Sequence, residues 1–535
     1  KSFELKNSSD VDLKGRLIIE ATMGKGGKPF FRSKNRVSLG PGDTEEFPVK
    51  LPAKEKVRTI KLTFKHGDSR SVIDYYDEVP YILTPLPPES PRINGTKVVG
   101  VRPGNPFLYI IPATGARPMV FDVEDLPGGL TMDRKTGIVT GHILEKGEYN
   151  IMIVARNDLG EDRRALKIVV GDTIALTPPL GWNSWNCWGL AVDEDKVIQS
   201  AHDFINKGLI NHGWTYINID DGWQARRNEQ GQIIPNDKFG NMKALADSLH
   251  RLGLKFGIYS SPGPRTCGGY TGSYQHELQD VVTYAGWGVD YLKYDWCTYG
   301  TLIDDPSLAD MKKPYKVMQE ALSRVDRDIV FSLCQYGMGN VWEWGAEVGG
   351  NLWRTTGDIS DSWELLCYIG FNQAAHAPFA GPGHWNDPDM MVVGWVGLGS
   401  DLHPTKLTTD EQYTHVSLWS LLSAPLLIGC DLSRLDDFTL NLLTNNEVLA
   451  VNQDPLGRQA IPLVNENNIQ VWVKELENGS KAAGIFNLDP RPREVLLDLA
   501  DINITGKQLI RDIWRQKEIG VFENEFSVTV PAHGV

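Results

Sequence analysis

Lys293 and Asp295 stand two residues apart in the run YLKYDWC (291–297), a cation and a carboxylate on one side of a strand-like segment that ends in Cys297. Burying an unpaired charge is strongly unfavourable, so the simplest expectation is that the two pair with each other. Similar strand ends recur along the chain. Asp220 and Asp221 follow YINI, Tyr259 sits in FGIYSS, Gln335 follows FSLC, and Arg354 and Asp358 share WRTTGD. Trp182 and Trp185 lie in GWNSW, Asp387 and Asp389 in WNDPD, and Asp431 in IGCDLS. Carboxylates accept paired hydrogen bonds from neighbouring hydroxyls, cations donate to them, and Trp covers an apolar ring face. Gathered at one mouth, such a set suits a small polyhydroxylated ligand. Asp295 and Asp358, from different strands, are the two carboxylates that glycoside hydrolysis needs, one as nucleophile and one as acid/base. Lys293 would keep Asp295 ionised, whereas Arg354 would oppose the proton that Asp358 must carry.

Some of these residues have plainer readings. Asp220 and Asp221 suit a loop cap, Asp387, Asp389 and Asp431 read as turn residues, and His384 reads as a satisfied core or rim histidine. No H-x-H, H-E-x-x-H or paired C-x-x-C spacing occurs, so no metal site is expected. No G-x-G-x-x-G or P-loop follows any strand, and no cofactor is expected.

These residues need elements that bring them together. Eight strand-like runs alternate with helical patterns from about Ile174: PLGWNSW, YINIDDGW, KFGIYSSPG, DYLKYDWC, IVFSLCQYG, LWRTTGDI, HWNDPDMMVVG and PLLIGCDLS. Behind an N-cap at Asp193, Val197, Ala201, Phe204, Ile205 and Leu209 share a helical face. Met242, Leu245, Leu249 and Leu252 do the same before Gly253, a natural residue to follow a helix end. Eight such units over about 280 residues predict a (β/α)8 TIM barrel, with a doubly wound open sheet as the alternative. The first 170 or so residues read as β, with KVRTIKLTFKH as a strand and a Pro-rich break near residue 86. Short strands between Gly, Pro and Asp turns then suggest an immunoglobulin-like sandwich. IQVWVKEL, KAAGIFNL, REVLLDL and EFSVTVPA read as a C-terminal antiparallel β-sandwich. The expected division is 1–86, an N-terminal β domain; 87–172, Ig-like; 173–455, the catalytic barrel; and 456–535, the C-terminal sandwich.

The net charge of −14 argues against nucleic acid and anionic membranes as partners, and no apolar run reaches the ~18 residues of a membrane-spanning helix. The chain opens at Lys1, which fits a form whose export signal has been removed. The 16 Trp and 17 Tyr lean towards a carbohydrate ligand. A homo-oligomer is left open.

The motifs GWNSWN, INIDDGW, FGIYSSPG with TC, YLKYDWC, WRTTGDISDSW, WNDPDMMVVG, IGCDLS and NQDPLG, in this order over about residues 177–459, resemble those of glycoside hydrolase family 27. This is the family of retaining α-galactosidases and α-N-acetylgalactosaminidases. The resemblance implies Asp295 as nucleophile and Asp358 as acid/base. It also implies Asp220 and Asp221 on O4 and O6 of galactose, Lys293 on O3/O4, Arg354 on O2/O3, and Trp185 and Tyr259 in the pocket wall. Cys267 and Cys297 match a family disulfide joining the loops after the third and fourth strands. With that bridge comes an expectation of export, to a bacterial periplasm or outside the cell. The stretch 126–141 resembles putative-Ig modules of secreted bacterial proteins.

This chain departs from the family pattern after the fifth strand, where C-E-W is common and CQYG stands here. Gln335 replaces a Glu near O2, and Cys334 lacks its usual partner because Gly350 occupies that place, which predicts a free thiol. The implied substrate is a galactose-containing oligo- or polysaccharide. The alternatives are the same chemistry on α-N-acetylgalactosaminides or β-L-arabinopyranosides, or a non-catalytic carbohydrate-binding or adhesion protein.

Overall fold

Period-two burial builds the first unit of the computed structural model, which describes residues 2–23, 29–49, 57–67, 69–78 and 80–535. Within residues 1–82, four antiparallel strands run in the order Pro29–Leu39, Leu13–Met23, Val57–His66, Ser69–Glu78. Leu17, Ile19 and Ala21 alternate inward along one strand and meet Val37, Leu39, Phe47 and Ile60. Lys56, the first residue of the expected KVRTIKLTFKH strand, lies outside the described residues.

The second unit spans Leu83–Val535. It opens with two facing sheets. Val120–Glu124, Gly147–Asn157, Gly160–Val170 and Val98–Val101 form one, and Leu130–Met132, Ile138–His142 and Pro106–Ile110 form the other. Ile151, Ile153, Leu166 and Ile168 from the first sheet meet Phe107, Leu130 and Val139 from the second.

Eight parallel strands follow: β1 (Leu180–Asn183), β2 (Tyr216–Asn218), β3 (Lys255–Ser260), β4 (Tyr291–Asp295), β5 (Val330–Cys334), β6 (Leu352–Arg354), β7 (Trp385–Asp387) and β8 (Leu426–Ile428). They are hydrogen-bonded in sequence from β1 to β7, with β8 beside β1. Just past β7, Met391 pairs in parallel with Ile428 and closes the ring, which rules out an open sheet. Helices fill the intervals, among them α1 (Glu194–Asn206) behind the Asp193 cap and α2 (Met242–Arg251), followed by Gly253 at φ +81°. Leu209 belongs to a separate 3-10 turn, because Gly208 at φ +76° breaks the helix first.

Alternation along each strand sets what faces the barrel axis. Tyr216, Tyr291, Val330, Leu352, Trp385 and Leu427 form a hydrophobic cluster with Met390 that fills the barrel at its N-terminal end. Two residues further along these strands stand Asn218, Lys293, Ser332, Arg354 and Asp387, so the apolar plug is overlaid by a polar layer. Gly257 makes room within it: a Cβ there would lie 1.9 Å from Asn218 Oδ1.

The C-terminal sandwich has seven strands, of which Ile469–Glu475, Lys481–Asn487, Arg493–Asp498 and Glu525–Val530 are the four expected. Ile461–Glu466, Gln508–Asp512 and Lys517–Phe522 are added; their side chains are mostly exposed, so the inward alternation that marks a strand is weak. No helix among the described residues is long and apolar enough to cross a membrane.

Candidate active site

Asp295 is the last residue of β4, paired across the sheet with Cys334 at the end of β5. Asp295 is 5% exposed, and both its carboxylate oxygens are held by phenols: Tyr259 Oη donates to Oδ2 at 3.1 Å and Tyr336 Oη to Oδ1 at 2.8 Å. Burial pushes its pKa up; Lys293, Tyr336 and Arg354 pull it down but do not outweigh burial and Asp220.

The expected Lys293–Asp295 pair does not form. Lys293 Nζ instead donates to Asp220 Oδ2 at 2.8 Å, and the ammonium lies 5.3 Å from the centre of the Tyr259 ring. Residues i and i+2 on a strand point the same way but stand apart, whereas the curvature of the barrel brings the loop after β2 across to β4. Asp220 is also held by Asn183 Nδ2 at 2.9 Å, and its own amide donates to Ser184 Oγ. Asp221, 1% exposed, accepts from Gly268 N at 2.6 Å, beside Cys267. Burial pushes its pKa up to about 6. A Cβ on Gly268 would lie 2.8 Å from Asp221 Oδ2, so this loop needs a glycine to approach the carboxylate.

Arg354 ends β6, opposite Asp387, and is 2% exposed. It donates to Asp358 Oδ1 at 3.0 Å and pairs with Asp389 Oδ2 at 3.1 Å. Asp358 keeps 63% of its side chain exposed at the mouth. Partial burial pushes its pKa up, but Arg354 and Lys293 outweigh this and hold it below the usual carboxylate range. Asp387 is buried, which raises its pKa to about 6 against the pull of Arg354. Asp389 does more than turn the chain: it anchors Arg354 and accepts from Ile359 N, which fixes the Asp358 loop. Asp431 caps its own turn through Ser433, and His384 is satisfied by Gly350 O at 2.8 Å.

Trp185 packs half-buried against the apolar cluster, with its amide held by Asn183 Oδ1. Trp182 is wholly buried and donates to Cys430 O. Gln335 is wholly buried too; its Oε1 accepts from Gly337 N at 3.4 Å, and its Nε2 has no hydrogen-bond partner. Asp221 Oδ1 and Arg354 Nε are likewise buried without partners. Cys267 and Cys297 are joined by a disulfide, and Cys334 is a free, buried thiol. Cys267, Asp295 and Cys297 crowd three potential metal-ligating atoms together, but the two sulfurs are spent on each other.

Tyr336 and Asn183 are site residues that no motif above singles out. Tyr336 was signalled only by its place beside Gln335 in the stretch that departs from the family pattern. Asn183 lies inside GWNSWN, where the tryptophans are the more conspicuous residues.

A closed (β/α)8 barrel with two carboxylates of contrasting environment at the C-terminal ends of β4 and β6 is the architecture of a glycoside hydrolase. Residues 177–454 match the family described as Alpha galactosidase A, residues 466–535 the Alpha galactosidase C-terminal beta sandwich domain, and residues 90–171 the Putative Ig domain. The chain therefore belongs to the melibiase family, glycoside hydrolase family 27. A probable alpha-galactosidase of Dictyostelium discoideum is 40% identical over 68% of this chain and 91% of its own length. A solved structure of a putative alpha-galactosidase/melibiase from Bacteroides fragilis is 38% identical, with a TM-score of 0.79, covering 83% of this chain and 96% of that one. A β-L-arabinopyranosidase of the same family from Geobacillus stearothermophilus is 29% identical, with a TM-score of 0.62 over 67% of this chain and 95% of that one.

Proposed function

We propose that this chain is a retaining, exo-acting glycosidase that removes terminal α-D-galactosyl residues from oligo- or polysaccharides. The observation that carries this reading is the contrast between the two carboxylates. Asp295 is buried and fixed through both oxygens, as suits a nucleophile, while Asp358 is open at the mouth, where a leaving group departs.

In the first step an Asp295 oxygen forms a bond to the anomeric carbon as the glycosidic C–O bond breaks, and the departing oxygen takes the proton of Asp358. In the second, Asp358 takes a proton from water, whose oxygen displaces Asp295 and restores both groups. Arg354 keeps Asp358 ionised until substrate covers it; the water lost on covering adds the desolvation that raises its proton affinity. Asp220, Asp221, Lys293, Arg354, Trp185, Tyr259 and Gln335 form the sugar pocket in this reading. The unpartnered Asp221 Oδ1, Arg354 Nε and Gln335 Nε2 support it, since a ring of hydroxyls supplies the donors and acceptors they lack.

The buried, bulky Gln335 supports rejection of a 2-acetamido group. Nitrophenyl α-galactoside should be preferred over the α-N-acetylgalactosaminide by at least about a hundredfold in kcat/KM, ~2.7 kcal/mol of discrimination. Comparable rates on the two would show that Gln335 does not face C2, and a preference for the β-L-arabinopyranoside would overturn the galactose assignment. A chain that binds sugar but turns over none of the three would instead be a carbohydrate-binding protein. The Cys267–Cys297 bridge supports export. The matched ranges support a catalytic domain at 173–455 between an Ig-like module at 87–172 and a sandwich at 456–535, and the separate unit of residues 1–82 supports a β domain at 1–86.

A further inference from the structure

Tyr336 lies outside the residue set assigned to the pocket, yet it makes the shorter of the two phenol bonds to Asp295, 2.8 Å against 3.1 Å. Its backbone is left-handed, φ +65°, a conformation that an aromatic residue adopts only when its surroundings compel it. Gly337 follows at φ +84°, and a Cβ there would meet Thr355 O at 2.3 Å, so the turn is seated against the end of β6. This double left-handed turn folds the phenol back over the strand ends, where the Arg354 guanidinium lies 5.9 Å from its ring. The disulfide completes the arrangement. Cys297 Sγ lies 3.1 Å from Tyr259 Oη, and Cys267 Sγ lies 3.8 Å from Tyr336 Oη. Asp295, the two phenols and the two bonded sulfurs thus form a closed loop of contacts. A disulfide sulfur carries no hydrogen, so each phenol can direct its proton only to the carboxylate or, weakly, to sulfur.

We propose that Tyr336 is a positioning residue for the nucleophile, fixing the rotation of the Asp295 carboxylate and favouring its ionised form by donating to Oδ1. This rests on Asp295 being the nucleophile. The other charged and titratable groups around that carboxylate are Lys293 on its own strand, Asp220 after β2, Tyr259 on β3, Tyr315 on the helix before β5, Cys334 on β5 and Arg354 on β6. None of them donates to Oδ1.

The test is Tyr336→Phe in the full chain, with pH profiles of kcat and kcat/KM on nitrophenyl α-galactoside. Removing a donor to the ionised form shifts the carboxyl to a higher pKa; because Asp295 is raised and Asp358 lowered, Asp295 sets the alkaline limb of kcat/KM, which should move up by about half a pH unit or more. The value of kcat should fall about tenfold or more, with KM within about threefold. An alkaline limb that stays in place, whether or not the rate falls, would overturn the proposal by reducing Tyr336 to packing. Tyr336→Leu, which carries no donor at all, should move the limb the same way and serves if the Phe variant does not fold. Asp295→Asn, assayed alongside, separates the two failures: if it stays active, the nucleophile assignment falls and Tyr336 with it. If it is dead while the limb is unmoved, only the role of Tyr336 falls.

Discussion

At the scale of single residues, the same side-chain type serves two ends because its surroundings differ. Asp295→Asn removes only the nucleophile, so activity should drop at least a hundredfold, ~2.7 kcal/mol or more, while a melting curve shows the fold intact. Asp358→Ala should slow substrates with poor leaving groups more than aryl glycosides, and added azide should give an α-glycosyl azide; a β-azide product would refute retention. Burial raises Asp295, which must be ionised, and Arg354 lowers Asp358, which must carry the proton. The pH profile of kcat/KM should therefore be a narrow bell lying in the carboxylate range rather than at neutrality, and a plateau through pH 7 to 8 would contradict this. Asp387 offers a check on stability. Its folded pKa is about 6 against an ordinary 3.8, so the native state holds the extra proton between those values. The stability it lends is complete below about 4 and lost as pH rises through 6. Asp387→Asn should gain on wild type in unfolding free energy between pH 4 and 7, by at most about 3 kcal/mol. The types and positions of these groups were legible in the sequence because each falls at the end of a strand. Their partners were not: Lys293 meets Asp220 from 73 residues away, and nothing local encodes that contact.

At the scale of elements, all eight barrel strands could be read from apolar runs that end in polar residues, and α1 and α2 from helical spacing behind a cap. Closure was expected from the count of eight units, but the contact that makes it, Met391 with Ile428 beyond the end of β7, could not be read. The sandwich strands at 508–512 and 517–522 escaped because pairing, not burial, holds them. The loops after β3 and β4 are tied by the disulfide across 30 residues, a closure worth about 3–4 kcal/mol in chain entropy. Replacing both cysteines with serine should lower the melting temperature and also reduce kcat, because the sulfurs abut the phenols on Asp295. Mass spectrometry of natively exported protein should find the bridge intact; two free thiols would refute both its role and the inference of export.

At the scale of the whole molecule, stability and chemistry occupy opposite ends of the barrel. Asp328, just before β5, binds Arg102 through its backbone amide at 2.9 Å and its guanidinium at 2.6 Å, and Asn105 at 2.7 Å, joining the sandwich of residues 98–170 to the floor of the barrel. Asp328→Ala leaves a largely buried guanidinium without its carboxylate and should cost about 1–3 kcal/mol, read as a lower melting temperature. Because the mouth lies at the far end, kcat should stay within about twofold of wild type; a larger fall would mean that the two ends are coupled. The same floor, filled by Tyr216, Tyr291, Leu352 and Trp385, governs traffic. The pocket is a dead end, so everything enters and leaves by one door. A sugar inside a chain has no second exit for the rest of the polymer, and only a terminal unit can reach Asp295. The aglycone must clear the doorway before water can follow, which orders product release. The freed monosaccharide, last to leave, competes with the next substrate for the passage, so free galactose should inhibit competitively.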